Sequence, residues 1–206
     1  MHSIIKTSLI AFSLIAAAPI AANATGFEST VESPLSGPIK VEVRLSEDLA
    51  YRANNLPKKR SKRGSSGHRN SPFAQNGYYG EKDLARLTQR LETHILAQME
   101  KRGVSTSPNA ATVLRVTLTD AKPNRPTFNQ LSREVGLSFQ SFSIGGAEME
   151  AEIISAGGDS LGTMNYDWYE DDIRDAKYNG TWTDAHRSIQ RFAKHAAKNL
   201  ANGPRS

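Results

Sequence analysis

Every strand this chain can form is apolar on one side only. Residues 39–45, Ile-Lys-Val-Glu-Val-Arg-Leu, alternate strictly, with Ile39, Val41, Val43 and Leu45 against Lys40, Glu42 and Arg44. Residues 112–119 repeat the pattern with Leu114, Val116 and Leu118, and 147–155 with Ala147, Met149, Ala151 and Ile153 against Glu148, Glu150 and Glu152. A strand of period two with one greasy face is half-buried and needs a single covering layer. Residues 161–168 return after the turn Ala156-Gly157-Gly158-Asp159, which makes an antiparallel hairpin.

Two helical stripes can supply that cover. Leu84, Leu87, Leu91, Ile95 and Met99 recur at three- and four-residue steps within 81–102, opened by Glu81 and Asp83 and closed before Gly103. Ala185, Ile189, Phe192, Ala193, Ala196 and Leu200 form a second stripe, with Thr181 or Thr183 as cap and Asn202-Gly203-Pro204 as stop. The order predicts an α+β two-layer sandwich, two helices packed on one face of a four-stranded mixed sheet. The strand, helix, strand run at its start predicts a parallel crossover between 39–45 and 112–119. One domain over 39–202 accounts for these elements.

The chain has 206 residues and begins as an address rather than as fold. Lys6, the apolar run 7–18 and Ala22-Asn23-Ala24 have the charged, apolar and small-residue order of a signal peptide, with cleavage expected near Ala24 and a periplasmic or secreted product. The run falls short of the roughly 20 apolar residues of a membrane span, and no later segment is a transmembrane candidate. With no cysteine, neither a disulfide, a thiolate metal site nor the acylated cysteine of a bacterial lipoprotein is expected. Residues 25–38, rich in Pro, Gly, Ser and Thr, read as a flexible leader.

Residues 53–80 lack any period and hold Lys58, Lys59, Arg60, Lys62, Arg63 and Arg69 without an acid, which predicts a disordered basic loop. Such a run either is a solvated linker or binds an anionic envelope polymer. Nucleic acid is disfavoured, because no aromatic residue interleaves the charges until Phe73. The stretch 122–132 cannot be regular, with Pro123 and Pro126. Its Asn124, Arg125 and Gln130 either present donors to an anionic or peptide ligand or satisfy nearby backbone groups in a stiff connection.

No motif names a reaction. There is no Gly-x-Ser-x-Gly elbow, no phosphate loop and no His-x-His or calcium-loop spacing, so no catalytic residue, metal or cofactor is expected. The acids Asp167, Glu170, Asp171 and Asp172, with His186, form the one alternative, a small envelope hydrolase working by general acid–base chemistry.

Four stretches carry a resemblance. Leu114-Arg115-Val116-Thr117-Leu118-Thr119-Asp120-Ala121, Pro123-Asn124-Arg125-Pro126, Gly145-Gly146-Ala147-Glu148 and Thr181-Trp182-Thr183-Asp184-Ala185 resemble uncharacterised secreted bacterial proteins of the domain-of-unknown-function kind, periplasmic or lipoprotein in type. The element order is similar to the modules of envelope-assembly lipoproteins, such as the curli-assembly lipoprotein and the activators of penicillin-binding proteins. That resemblance implies a non-enzymatic binding or envelope-assembly role, with an envelope protein or an anionic envelope polymer as partner.

Overall fold

The computed structural model describes residues 26–31, 35, 37–57 and 72–202. In chain order the elements are β1 (Phe27–Ser29), β2 (Ile39–Leu45), α1 (Glu47–Tyr51), a 3-10 turn (Pro72–Gln75), α2 (Glu81–Glu100) and β3 (Thr112–Lys122). They continue with α3 (Phe128–Leu131), β4 (Gly146–Ile154), β5 (Ser160–Tyr169), α4 (Ile173–Ala176) and α5 (Thr183–Asn202). The strands form one mixed sheet in the order β1-β5-β4-β3-β2. β2 and β3 run parallel with α2 between them in sequence, and the other pairs are antiparallel.

The sheet has five strands, not the four expected. The fifth, β1, lies inside the stretch 25–38 read as a leader. Nothing local makes Phe27-Glu28-Ser29 a strand. It is held by tertiary contacts: it pairs with Met164–Tyr166 of β5, and the Phe27 ring packs against Tyr166, Phe192 and His195. Ser29 adds a hydroxyl donated to Asn199 Oδ1 at 2.9 Å.

The core lies between the sheet and the stripes of α2 and α5. Leu84, Leu87, Leu91, Ile95 and Met99 of α2 are buried with Ile189, Phe192, Ala193, Ala196 and Leu200 of α5. They share one cluster with Leu114, Val116, Leu118, Met149, Ala151, Ile153, Met164 and Tyr166 of the sheet. The polar face pairs within β2 through Lys40 and Glu42, and across to β3 through Arg115 on Glu42 and Arg44 donating to Thr117.

β3 runs three residues beyond its expected end. A register shift between Leu118 and Asp120 re-phases the strand, so that Ala121, not Asp120, is the next fully buried residue after Leu118. A bulge of this kind re-aims side chains, and here it releases Asp120 from the core alternation. Both flanks of the expected loop 53–80 lie within the described residues. Residues 72–80 are placed, with Phe73 and Tyr79 buried, while Lys58, Lys59, Arg60, Lys62 and Arg63 fall outside the described residues.

Candidate functional site

Two buried polar knots fasten the irregular segments where β3 and β5 end and α5 begins. The first is built on Asn124 and Asp184, both fully buried. Asn124 Nδ2 donates to Ser143 O at 3.2 Å and to Asp184 Oδ2, while its Oδ1 accepts the Asp184 amide at 2.9 Å. Asn124 thus satisfies a free first-turn amide of α5 from another element, a capping role usually filled by a neighbour in sequence. Asp184 also accepts from the Gly145 amide (3.2 Å), Asn179 Nδ2 (3.1 Å) and Arg187 Nη1 (2.9 Å). Backbone bonds Asn124 N to Thr181 O (2.7 Å) and Ser143 N to Asn124 O (2.8 Å) complete it.

Gly145 is required at this knot by space. A Cβ there would stand 2.8 Å from the Asn124 side chain, and one on Gly146 would stand 2.3 Å from Trp168 O. The glycine pair that reads as punctuation in the sequence is where the loop backbone presses against Asn124 and β5.

Arg125 and Gln130 extend the fastening. The Arg125 guanidinium donates to Gln140 O (2.9 Å), Ser141 O (3.3 Å), Asn179 O (3.2 Å) and Lys177 O, which ties the 123–145 segment to the α4 region. Gln130 is buried and closes a capping box with Thr127 at α3. Its Nε2 donates to Phe73 O (2.6 Å) and Gly77 O (2.8 Å). The donors of all three residues are engaged by this chain's own carbonyls and by Asp184.

The second knot centres on Arg52. Its guanidinium pairs with Asp120 at 2.8 Å and Asp48 at 2.9 Å, and reaches Tyr79 Oη at 3.5 Å. Tyr169 donates to Asp120 Oδ2 at 2.8 Å, and Tyr79 to Ala74 O at 3.0 Å. Burial, and then the Asp120 charge, push both phenols far up, so they remain protonated donors. Burial works against the Arg52 charge, but Asp120, Tyr79 and Asp48 outweigh it and its pKa is raised. Nothing in the sequence brings these residues together, because they come from α1, the segment before α2, β3 and β5.

Above these knots the loop exposes what a core would normally hide. Phe128 is 79% exposed, Val135 107%, Phe139 77% and, in the segment tied to the loop by Arg125, Tyr178 86%. None of these four side chains is part of the buried core cluster.

No family model matches this chain, and no curated protein does. Among solved structures it is similar to the PelC dodecamer from Paraburkholderia phytofirmans in two crystal forms. One has 11% identity and a TM-score of 0.42 over 82% of this chain and 94% of that one. The other, a PelC variant, has 12% and 0.41 over 82% and 93%. It is also similar to a minor lipoprotein from Acinetobacter baumannii, at 11% identity and a TM-score of 0.34 over 79% of this chain and 91% of that one. Scores below 0.5 assign this chain no role.

The hydrolase alternative needs His186 beside a carboxylate. His186 instead faces α2, with Nδ1 2.8 Å from Arg90 Nη1. Glu170 turns its carboxylate onto the amides of Asp171 (3.0 Å) and Asp172 (3.3 Å), and Asp172 caps α4 and pairs with Arg174. Among the described residues, no group of three His, Asp or Glu side chains is placed to hold a metal ion, and no helix is long and apolar enough to cross a membrane.

Burial, then the Arg90 and His94 charges, depress the His186 pKa to about 4. The folded imidazole stays neutral below the pH near 6.5 at which an unfolded one takes its proton. The unfolded state therefore binds more protons between pH 6.5 and 4, and stability falls as pH drops through that window. His94 and His195 are lowered too, mainly by burial, and act in the same direction. Melting temperatures between pH 7.5 and 4.5 should fall less steeply for His186→Gln than for the wild type. Parallel curves would contradict this placement of His186.

Proposed function

We propose that this chain is an exported binding module of the bacterial envelope, without a catalytic site of its own, which presents the 123–145 loop and Tyr178 to a partner protein. The observation that carries this reading is the pairing of exposed Phe128, Val135 and Phe139 with a loop tied down by Asn124, Arg125 and Gln130. A preordered loop loses little entropy on docking, and aromatic side chains on it are efficient anchors. The leader pattern of residues 1–24 supports export. In this reading the basic run 58–69, outside the described residues, adds long-range attraction to anionic envelope polymers.

A photo-crosslinking residue placed at Phe139 in living cells tests the reading, with one at Glu150 on the sheet's polar face as control. The expected result is an adduct of discrete mass from position 139 only, reduced about tenfold or more by Phe128→Ser with Tyr178→Ser, the loss typical of removing interface anchors. Those two side chains are exposed, so the fold should change by less than about 0.5 kcal/mol. The same adduct from both positions, or none from 139, would overturn it.

A further inference from the structure

We infer that two copies of this chain pair through the outer edges of their β2 strands, antiparallel about a two-fold axis at Val43. β2 ends the sheet, and among the described residues its outer side is bonded only at the start. There Ile39 donates to Ser105 O at 3.0 Å and accepts the Ser107 amide at 3.1 Å. At the other end Ser46 N turns inward to Leu118 O at 3.0 Å. Backbone groups alternate sides along an edge strand, so those of Val41, Val43 and Leu45 point outward with Ile39's. Their side chains are only partly covered by the core, as expected of an edge that lacks its neighbour.

Charges on an edge strand usually prevent such pairing, and here they select one register. Outward-bonding residues must oppose each other, and those of Ile39 are taken. An axis at Glu42 would set Glu42 against Glu42 and Lys40 against Arg44, all like charges. An axis at Arg44 would set Arg44 against itself. An axis at Val41 would need Ile39. The axis at Val43 opposes Glu42 of each copy to Arg44 of the other, Val41 to Leu45, and Val43 to itself. Opposite charges and β-branched pairs facing each other are the favourable cross-strand contacts. The two sheets then continue into one, with the covering helices of each copy on its own core side.

Sedimentation of the full chain over a concentration series up to about 1 mM, a range that captures even weak association, tests the inference. The wild type should show a monomer–dimer equilibrium. Arg44→Glu alone and Glu42→Arg alone each place like charges at both symmetry-related positions, and should weaken the dimer about tenfold or more. Mixing the two variants restores opposite charges at both positions and should restore the dimer. Val43→Pro removes an amide that points outward and bonds nothing among the described residues, so it should abolish the dimer while circular dichroism stays native. A wild type monomeric throughout, variants that dimerise as the wild type does, or folded variants whose mixture stays monomeric would overturn it.

Discussion

Asp184→Ala is expected to cost this protein about 3–5 kcal/mol, the range for removing one partner from a buried charged cluster. For a domain of this size that is a fall of roughly 10 °C in melting temperature. The carboxylate lies in the first turn of α5, where the helix dipole favours a negative charge, and it accepts from Asn124, Gly145, Asn179 and Arg187. Alanine leaves several of those donors buried without an acceptor, and each such loss costs on the order of 1–3 kcal/mol. Asp184→Asn keeps the shape and one acceptor oxygen, so it should fall between alanine and wild type. A melting temperature for Asp184→Ala within about 2 °C of wild type, less than a 1 kcal/mol change should give, would show that water substitutes for the carboxylate.

Arg52→Ala should be comparably damaging, for a different reason. It leaves Asp120, largely buried and already bonded to Tyr169, without its counter-charge. Breaking a buried pair by removing one partner costs about 3–5 kcal/mol, whereas replacing both by apolar groups often costs far less. Arg52→Met combined with Asp120→Leu should therefore destabilise by less than the sum of the single changes, with a coupling of about 1–3 kcal/mol in denaturant titrations. Additive effects would mean that the two side chains do not act as a unit.

What the chain's pattern reveals and what it conceals follow from the range of the interactions. β2 matches its alternating run end for end, and α2 and α5 match their stripes, because one packed face imprints a period on neighbouring residues. β3 outruns its alternation because the bulge after Leu118 breaks the period without ending the strand. β1 has no period to read, since a single phenylalanine docks it. Phe73 and Tyr79 look like isolated aromatics in a polar stretch, but Gln130, more than fifty residues away, bonds the Phe73 and Gly77 carbonyls, and Arg52 O holds the Tyr79 amide. Asn124, Arg125 and Gln130 were legible as polar residues in a proline-stiffened loop. The burial of Asn124 and Gln130 was not, nor the reach of Arg125, because the groups they serve lie 15 to 60 residues away in sequence. Asp184 looks like any first-turn acid until Asn124 is placed against it.

Docking through the exposed aromatics requires that the 123–145 loop be held in place. Native-state amide hydrogen exchange at Asn124, Ser143 and Gly145 tests that most directly, because their amides are held by Thr181 O, Asn124 O and the Asp184 carboxylate. In the wild type these amides should exchange nearly as slowly as those at the centre of β3, and in Asp184→Ala all three should exchange fast. Exchange in the wild type as fast as in an unstructured peptide would contradict it.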